Sequence, residues 1–238
     1  EPVPGADSHT PLERDAQNAT IRQDAIDEAA AFAGKRNSQA FMVWHKGKLV
    51  RETYFNGADA DTLIVSRSLA KPVTVIAVGR AIAEGYINSL DQPVSDFVTE
   101  WKGTDRENIL VRHLLDMRTG FLRQGMEQEP DSILNRAYLH PYHADIIIKE
   151  YPLTHKPGER YAYSNANSEM VAPLIEAATG VRYAQWVSKQ VLKPLGAKGG
   201  EVWVNRPGGT AHSGCCIMLP AETYLRLGLL SYYDGIWE

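Results

Sequence analysis

The order of apolar and polar residues along the chain predicts a β element followed by a long, mostly helical middle. Glu1–Thr10 has no apolar period and is expected to form an exposed arm. Apolar residues at helical spacing predict a first helix from about Leu12 to Phe32. Two β-rich runs around a Lys-Gly-Lys turn predict a hairpin over Ala40–Phe55. The stretch Val73–Tyr86 is apolar on nearly every side, so we expect a buried helix there.

Shorter elements follow this helix. Polar or proline-containing loops separate them, and Gly or Pro residues stop several of them. The predicted helices cover 91–97, 111–117, 133–138, 145–151, 167–178 and 183–192, and the further predicted strands cover 64–65 and 201–204.

Length and charge narrow the class of protein. The chain has 238 residues, of which 44% are hydrophobic, so one large globular domain with a sizeable core is expected. Its formal net charge of −4 offers no basic patch, so we expect no nucleic-acid partner. No apolar run approaches the roughly 20 residues of a membrane span, so no such span is expected.

The cysteines and the chain start bear on the compartment. Cys215 and Cys216 are adjacent, and because neighbouring cysteines rarely form a disulfide, we expect two small buried thiols. The chain opens on Glu1 without an initiator Met, which favours a processed start and a periplasmic or secreted location, with a cytoplasmic one as the alternative. Asn18-Ala-Thr20 matches an N-glycosylation sequon by pattern.

Ser68 and Lys71 form the first candidate for chemistry. They lie three residues apart at the start of the predicted buried helix, which places hydroxyl and amine on one face, one turn apart. The helix N-terminus and burial both disfavour an ammonium group, so Lys71 is expected to be neutral near pH 7 and to accept the Ser68 proton. The alternative is an N-cap serine beside a solvated lysine.

Tyr163 and Asn165 form the second candidate. They follow the turn at Pro157-Gly158, and side chains two residues apart point the same way in an extended segment. Tyr163 would then share a proton with the Ser68–Lys71 pair, and Asn165 would bind Lys71 or a substrate carbonyl. The alternative is a helix entrance with Ser164 or Asn165 as the N-cap.

With these motifs, the chain resembles the serine hydrolases of the class C β-lactamase type. That family includes D-alanyl-D-alanine carboxypeptidases, serine esterases and 6-aminohexanoate-dimer hydrolases, and the resemblance runs from about Ala40 to the last residue. Ser68-Leu-Ala-Lys71 resembles the family's first motif, and Tyr163-Ser-Asn165 resembles its second. Further similar segments are Leu90–Val94, Val111–Gly120, Pro157-Gly158 and Lys193–Gly196.

The resemblance implies an α+β, β-lactamase/transpeptidase-like fold. An antiparallel sheet flanked by helices is expected, together with a mostly helical subdomain and a catalytic groove between them. We expect one catalytic domain over residues 1–238. Within it, 12–67 begins the α/β part, 68–200 is mostly helical, and 201–238 returns toward the sheet.

The same resemblance implies hydrolysis of a small-molecule ester or amide through a Ser68 acyl-enzyme. Lys71 with Tyr163 is the expected general base, Asn165 binds substrate, and the Ser68 backbone N–H contributes to the oxyanion hole. No cofactor and no metal are expected. The leading prediction is a carboxylesterase or an enzyme like the 6-aminohexanoate-dimer hydrolases. The alternatives are a β-lactamase or D-alanyl-D-alanine carboxypeptidase, and a non-catalytic penicillin-binding-like protein.

The family's third motif, Lys-Thr-Gly or His-x-Gly, lies on a strand beside the groove. His212-Ser-Gly214 spells such a motif, but the residues after it resemble a segment that precedes this strand in the family. We therefore expect the third motif beyond Glu238, with His212 as the alternative. His212→Ala is then expected to change the rate by less than about tenfold.

His140 and His143, three residues apart, suggest a metal site as a rival interpretation. Pro141 interrupts the helix that would align them, and the sequence around them supplies no obvious carboxylate ligand. A loop over the groove is the expected structure of this segment.

Overall fold

A computed structural model describes residues 1–15, 20–125 and 127–237. Asn18 of the sequon lies outside the described residues. The helices are α1 Gln23–Lys35, α2 Ala70–Ala83, α3 Val111–Leu115, α4 Ile133–Leu139, α5 His143–Lys149, α6 Asn165–Glu169, α7 Val171–Thr179, α8 Tyr183–Val187 and α9 Ala221–Tyr232. The strands are β1 Pro2–Val3, β2 Ala40–His45, β3 Lys48–Tyr54, β4 Ile64–Val65, β5 Gly200–Val202 and β6 Ile217–Leu219.

The chain divides into two compact units. The first unit contains Glu1–Val3, Ser66–Val191 and Glu201–Ile217, and the second contains Pro4–Val65, Leu192–Gly200 and Met218–Glu238. Among the residues with described positions, no helix is both long and apolar enough to cross a bilayer.

The second unit contains the predicted hairpin. β2 and β3 pair antiparallel, with Ala40 opposite Tyr54 and His45 opposite Lys48. Lys46 and Gly47 both have positive φ, 48° and 82°, as a two-residue turn of type I′ requires. In the same unit, β4 pairs antiparallel with β6 through Ile64 and Leu219.

The helix predicted from Leu12 begins only at Gln23. The backbone before it is engaged elsewhere, because the Leu49 N–H donates to Glu13 and the Asp15 N–H donates to Leu49. A backbone N–H that donates to a strand cannot also donate to the carbonyl four residues earlier, as a helix requires. The early apolar residues therefore extend the hairpin region rather than the helix.

The first unit is organised around α2. Val73, Ala77 and Val78 are at most 1% exposed, and the Trp186 indole N–H donates to the Ala77 carbonyl at 3.0 Å. The prediction of a helix buried on all sides was wrong in one respect, since Val75 on another face is 48% exposed. One face of α2 therefore meets solvent while the other builds the core.

The chain start also differs from the predicted exposed arm. Val3 is fully buried, and the Val202 N–H donates to the Glu1 carbonyl at 2.8 Å in the first unit. The cause is pairing of β1 beside β5, a contact between residues about two hundred positions apart that sequence pattern does not reveal.

An aromatic cluster in the first unit supports the segment that precedes α4. The rings of Trp101 and Phe121 meet edge to face at 6.0 Å between centroids, and those of Phe121 and Tyr151 meet at 5.6 Å. The Tyr151 hydroxyl donates to the Leu122 carbonyl at 3.1 Å. These contacts fix the backbone next to Gln124, which lies at the candidate site.

Candidate active site

Ser68 lies on a tight turn immediately before α2. Arg67 adopts a φ of 48°, in the left-handed region that non-glycine residues rarely occupy and that clusters at functional sites. Ser66 anchors the turn from below, since its backbone N–H donates to Ile217 and its hydroxyl donates to Cys215, both at 2.8 Å. The turn leaves Ser66 buried and Ser68 exposed.

Lys71 lies one helical turn after Ser68, as the spacing predicts. Its amine donates to Ser68 Oγ at 3.1 Å, Asn165 Oδ1 at 2.7 Å and the Gly214 carbonyl at 2.7 Å. Three acceptors match the three protons of an ammonium group. This geometry fits a charged Lys71, whereas the neutral amine expected from the sequence would instead accept from the Ser68 hydroxyl.

Tyr163 also contacts Ser68. Its hydroxyl oxygen lies 2.6 Å from Ser68 Oγ, and its ring centroid lies 5.1 Å from the Lys71 amine. Burial acts to raise the pKa of Tyr163, but the hydrogen bonds with Ser68 and Lys71 and the Lys71 charge outweigh it, so that the pKa falls below its ordinary value. The structure thus brings Ser68, Lys71, Tyr163 and Asn165 into one hydrogen-bonded cluster.

The sequence did not single out Gln124 or the role of the Gly214 carbonyl. The Gln124 N–H donates to the Tyr163 carbonyl at 2.9 Å, and its side-chain oxygen accepts from the Asn165 N–H at 2.8 Å. Gln124 therefore holds both ends of the Tyr-Ser-Asn segment. Gly214 belongs to the triplet considered as a third motif, but no sequence pattern signals that a carbonyl oxygen acts as an anchor.

The prediction of two free thiols was wrong. Cys215 and Cys216 form a disulfide with an S–S distance of 2.06 Å. The Tyr138 hydroxyl lies 3.2 Å from the Cys215 sulfur and 3.1 Å from the Cys216 sulfur. Both residues are buried, directly after Gly214, whose carbonyl accepts from Lys71.

A cavity of about 310 Å³ opens beside Ser68 within the first unit. Half of its lining residues come from the segment between Phe121 and Pro152. Arg67 is the only lining residue with a formal charge in the described part of the chain. The lining residues are Arg67, Ser68, Gln124, Gly125, Leu134, Ala137, Tyr138, Tyr151, Ser164, Asn165, Ala166 and Cys215.

His212, the alternative third-motif residue, is 1% exposed and does not line this cavity. It lies behind the Gly214 turn with His143 and Glu169. The expectation that His143 belongs to a loop without a nearby carboxylate was wrong: His143 begins α5, and its Nε2 lies 3.9 Å from Glu169 Oε2. The two residues are 26 positions apart and meet only through the packing of α5 and α6.

Comparison with known proteins is consistent with this geometry. A family model described as Beta-lactamase matches residues 21–215, which is more than half of the chain. The chain belongs to the beta-lactamase family. The predicted β-lactamase-like α+β fold is thereby confirmed.

Two characterised relatives and two solved structures illustrate the range of the family. Protein flp of Staphylococcus aureus (strain NCTC 8325 / PS 47) is 25% identical over 72% of this chain and 36% of its own length. Esterase EstB of Burkholderia gladioli is 26% identical over 79% of this chain and 53% of its own. This chain therefore spans about a third to a half of these relatives.

The solved structures bear on the fold alone. A candidate 6-aminohexanoate-dimer hydrolase from Bacillus anthracis superposes with a TM-score of 0.80 at 20% identity, over 100% of this chain and 66% of that one. A class C beta-lactamase from Rhodobacter sphaeroides gives a TM-score of 0.64 at 18% identity, over 91% and 67%.

Proposed function

We propose that this protein is a serine hydrolase that cleaves a small ester or amide through a Ser68 acyl-enzyme. One observation carries the proposal: Ser68 Oγ lies within hydrogen-bond distance of both the Tyr163 hydroxyl, at 2.6 Å, and the Lys71 amine, at 3.1 Å. A serine hydroxyl is activated as a nucleophile when a neighbouring base can accept its proton, and the lowered pKa of Tyr163 suits Tyr163 to that role.

Acylation begins with Tyr163 as the base. Deprotonated Tyr163 takes the Ser68 proton as Ser68 Oγ bonds to the substrate carbonyl carbon, and the Lys71 charge stabilises the tyrosinate. The Ser68 backbone N–H donates to the developing oxyanion. When the tetrahedral intermediate collapses, the leaving alkoxide or amine takes the proton from Tyr163. This assignment replaces a neutral Lys71 with a charged one.

Deacylation uses the same groups in the same order. Water gives a proton to Tyr163 and bonds to the acyl carbon, and the bond from that carbon to Ser68 Oγ then breaks. Ser68 recovers its proton from Tyr163, which restores the starting state. Asn165 keeps the Lys71 amine beside Ser68 Oγ and the Tyr163 hydroxyl oxygen. In the acyl-enzyme, Asn165 can also hold the substrate carbonyl.

The pocket supports a small, largely apolar acyl group. Leu134, Ala137, Tyr138 and Tyr151 supply apolar surface in a cavity of about 310 Å³, a volume at the lower end of small-molecule sites. The relation to an esterase and the fold of a candidate 6-aminohexanoate-dimer hydrolase support an ester or a linear amide over a larger substrate.

A location outside the cytoplasm fits this proposal. Disulfides persist in oxidising compartments, and the Cys215–Cys216 bond lies at the site. We therefore favour a periplasmic or secreted protein, and cell fractionation with an antibody to the chain tests this. Recovery with the cytoplasmic markers would count against it.

A fluorophosphonate probe tests the nucleophile, together with turnover of a short-chain p-nitrophenyl ester. We expect Ser68 to carry the probe in peptide mass spectrometry and the ester to be hydrolysed. A fluorescent penicillin that labels Ser68 without ester turnover would favour the penicillin-recognising alternative. If Ser68 reacted with neither the fluorophosphonate nor the penicillin, the result would favour the alternative of a non-catalytic binding protein.

A further inference from the structure

Behind the Gly214 turn, a buried carboxylate faces two imidazoles. Glu169 is 1% exposed, and neither of its carboxylate oxygens has a hydrogen-bond partner in the described part of the chain. His143 Nε2 and His212 Nδ1 are likewise unpartnered there, although His212 Nδ1 lies 3.4 Å from Glu169 Oε2. A buried carboxylate without a positive partner is strongly unfavourable, so this cluster must hold either a cation or a proton that neutralises Glu169.

Asn205 determines which nitrogen of His212 carries a proton. The Asn205 amide nitrogen donates to the carbonyls of Tyr138 and His140, both at 2.9 Å, which fixes the orientation of the amide. Its oxygen therefore accepts from His212 Nε2, at 2.8 Å. A neutral His212 would then point an unprotonated Nδ1 at the Glu169 carboxylate, and two acceptors would face each other.

The charge can be balanced by a metal ion bound by all three residues or by one proton between His212 and Glu169, held on His212 Nδ1 or on the carboxyl. The His143 and His212 rings are stacked, with centroids 4.1 Å apart and planes within 10° of parallel. An imidazole nitrogen binds a metal in the plane of its ring, and two stacked rings have no common in-plane point between them. The geometry therefore favours the proton.

The surroundings suit an imidazolium at this position. Three aromatic rings surround His212: His143 stacks on it, and the rings of Tyr138 and Trp203 lie 5.2 and 6.1 Å from it. His143 cannot supply the charge itself, because burial first and the neighbouring His212 second lower its pKa to about 4. Glu169 is the acidic group that faces the ring.

We propose that His212 carries a proton on both ring nitrogens, and that its ion pair with Glu169 positions the Gly214 carbonyl that holds Lys71. Glu169 packs directly against this turn: a Cβ added to Gly214 would lie 2.9 Å from Glu169 Oε1. The Gly214 carbonyl in turn accepts from the Lys71 amine at 2.7 Å. Glu169 and His212 are positioning residues, and their role rests on the proposed function.

The proposal departs from the small effect that sequence predicted for His212→Ala. That expectation treated His212 as a residue outside the groove with no link to the site. In the structure, His212 lies two positions before Gly214, whose carbonyl anchors Lys71. Loss of His212 would leave the buried Glu169 carboxylate without its partner.

The protonation state is tested on the unmodified chain. In nitrogen NMR of protein labelled at histidine, both ring nitrogens of His212, assigned with His212→Gln, should resonate as protonated nitrogens at neutral pH. Elemental analysis of the same sample should find no bound metal. An unprotonated Nδ1, or one equivalent of zinc that Glu169→Gln loses, would overturn the proposal.

Kinetics test the link to Lys71. Glu169→Gln keeps the size of the side chain and removes its charge, so we expect kcat for the ester to fall by about tenfold or more with little change in KM. Glu169→Asp keeps the charge and should retain more activity than Glu169→Gln, an order that a packing role would reverse. Equal rates for Glu169→Gln and the unmodified protein would refute the link.

Glu222→Gln is the matched control, because it also removes a buried carboxylate, in the second unit, and should leave kcat unchanged. Failure of the proposed function is distinguishable from failure of this inference. If Ser68→Ala retains the hydrolysis, the proposed function fails. If Ser68→Ala is inactive while Glu169→Gln is fully active, only the positioning role fails.

Discussion

Two buried glutamates, one in each unit, have opposite surroundings. Glu222 on α9 is 7% exposed, and besides His9 Nε2 at 3.4 Å it faces Arg226, which lies one turn later and donates to its carboxylate at 2.9 and 2.7 Å. Glu169 is more deeply buried and meets no arginine or lysine among the described ion pairs, only two histidines. A carboxylate balanced within its own helix serves stability, whereas one left to histidines beside a reactive site indicates function.

The two surroundings predict that substitutions near Ser68 and substitutions near Glu222 affect different properties, rate in the first case and stability in the second. Changes to the polar groups around Ser68 should alter rate with little loss of stability, since these groups are partly exposed. Changes to the Glu222–Arg226 pair should alter stability with little loss of rate. Four substitutions test this separation.

The largest expected effect is that of Ser68→Ala. Removing the nucleophile should lower kcat for the ester by about 10⁴-fold or more, while the urea midpoint stays within error. Ser66→Ala is the control, because the Ser66 hydroxyl bonds Cys215 instead of reaching the pocket. If Ser66→Ala abolished hydrolysis while Ser68→Ala remained active, the nucleophile would be two residues from its assigned position.

The next effect is that of Tyr163→Phe. Loss of the base should lower kcat by about 10²–10⁴-fold, the usual contribution of general base catalysis. Tyr161→Phe removes a hydroxyl from an exposed ring two residues away and should leave the rate unchanged. A Tyr163→Phe protein as active as the control would transfer the base role to Lys71.

In the second unit, Arg226→Met should leave the buried Glu222 without its arginine partner. We expect the free energy of unfolding to fall by about 3 kcal/mol, measured by urea denaturation, with kcat per folded molecule unchanged. Arg80→Met breaks an exposed pair with Glu84 and should cost less than about 1 kcal/mol. Equal losses for the two variants would contradict the assignment of a structural role to Glu222.

The smallest effect concerns pH. Tyr163 acts as a base when deprotonated, so kcat/KM should rise with pH through the pKa of Tyr163 in the free enzyme. The Lys71 hydrogen bond and charge lower that pKa, and Lys71→Met should therefore move the rising limb to higher pH. Lys189→Met, an exposed lysine of the same unit, should leave the limb in place. If the rising limb stayed at the same pH in Lys71→Met, the Lys71 charge would not be a cause of the lowered pKa of Tyr163.

Local contacts were predicted well from the sequence. The hairpin follows from two β-rich runs around Lys46-Gly47, whose turn conformation involves only adjacent residues. Ser68 and Lys71 meet because residues three apart share a helix face. Long-range contacts were missed because they join residues that lie far apart in the chain. The backbone of Glu13 and Asp15 joined Leu49 rather than a helix, and β1 was taken for an exposed arm.

The sequence by itself predicted the Ser68–Lys71 pair and the Tyr163-x-Asn165 pair, because the residues of each motif are only two or three positions apart. Only the tertiary structure decided what joins them. The Lys71 amine reaches Gly214 across 143 positions, and Ser68 reaches Tyr163 across 95. The contact between Glu169 and His212 likewise joins residues that are 43 positions apart. Periodicity fixes which face a residue occupies, whereas burial and the partner across that face are fixed only when the whole chain has folded.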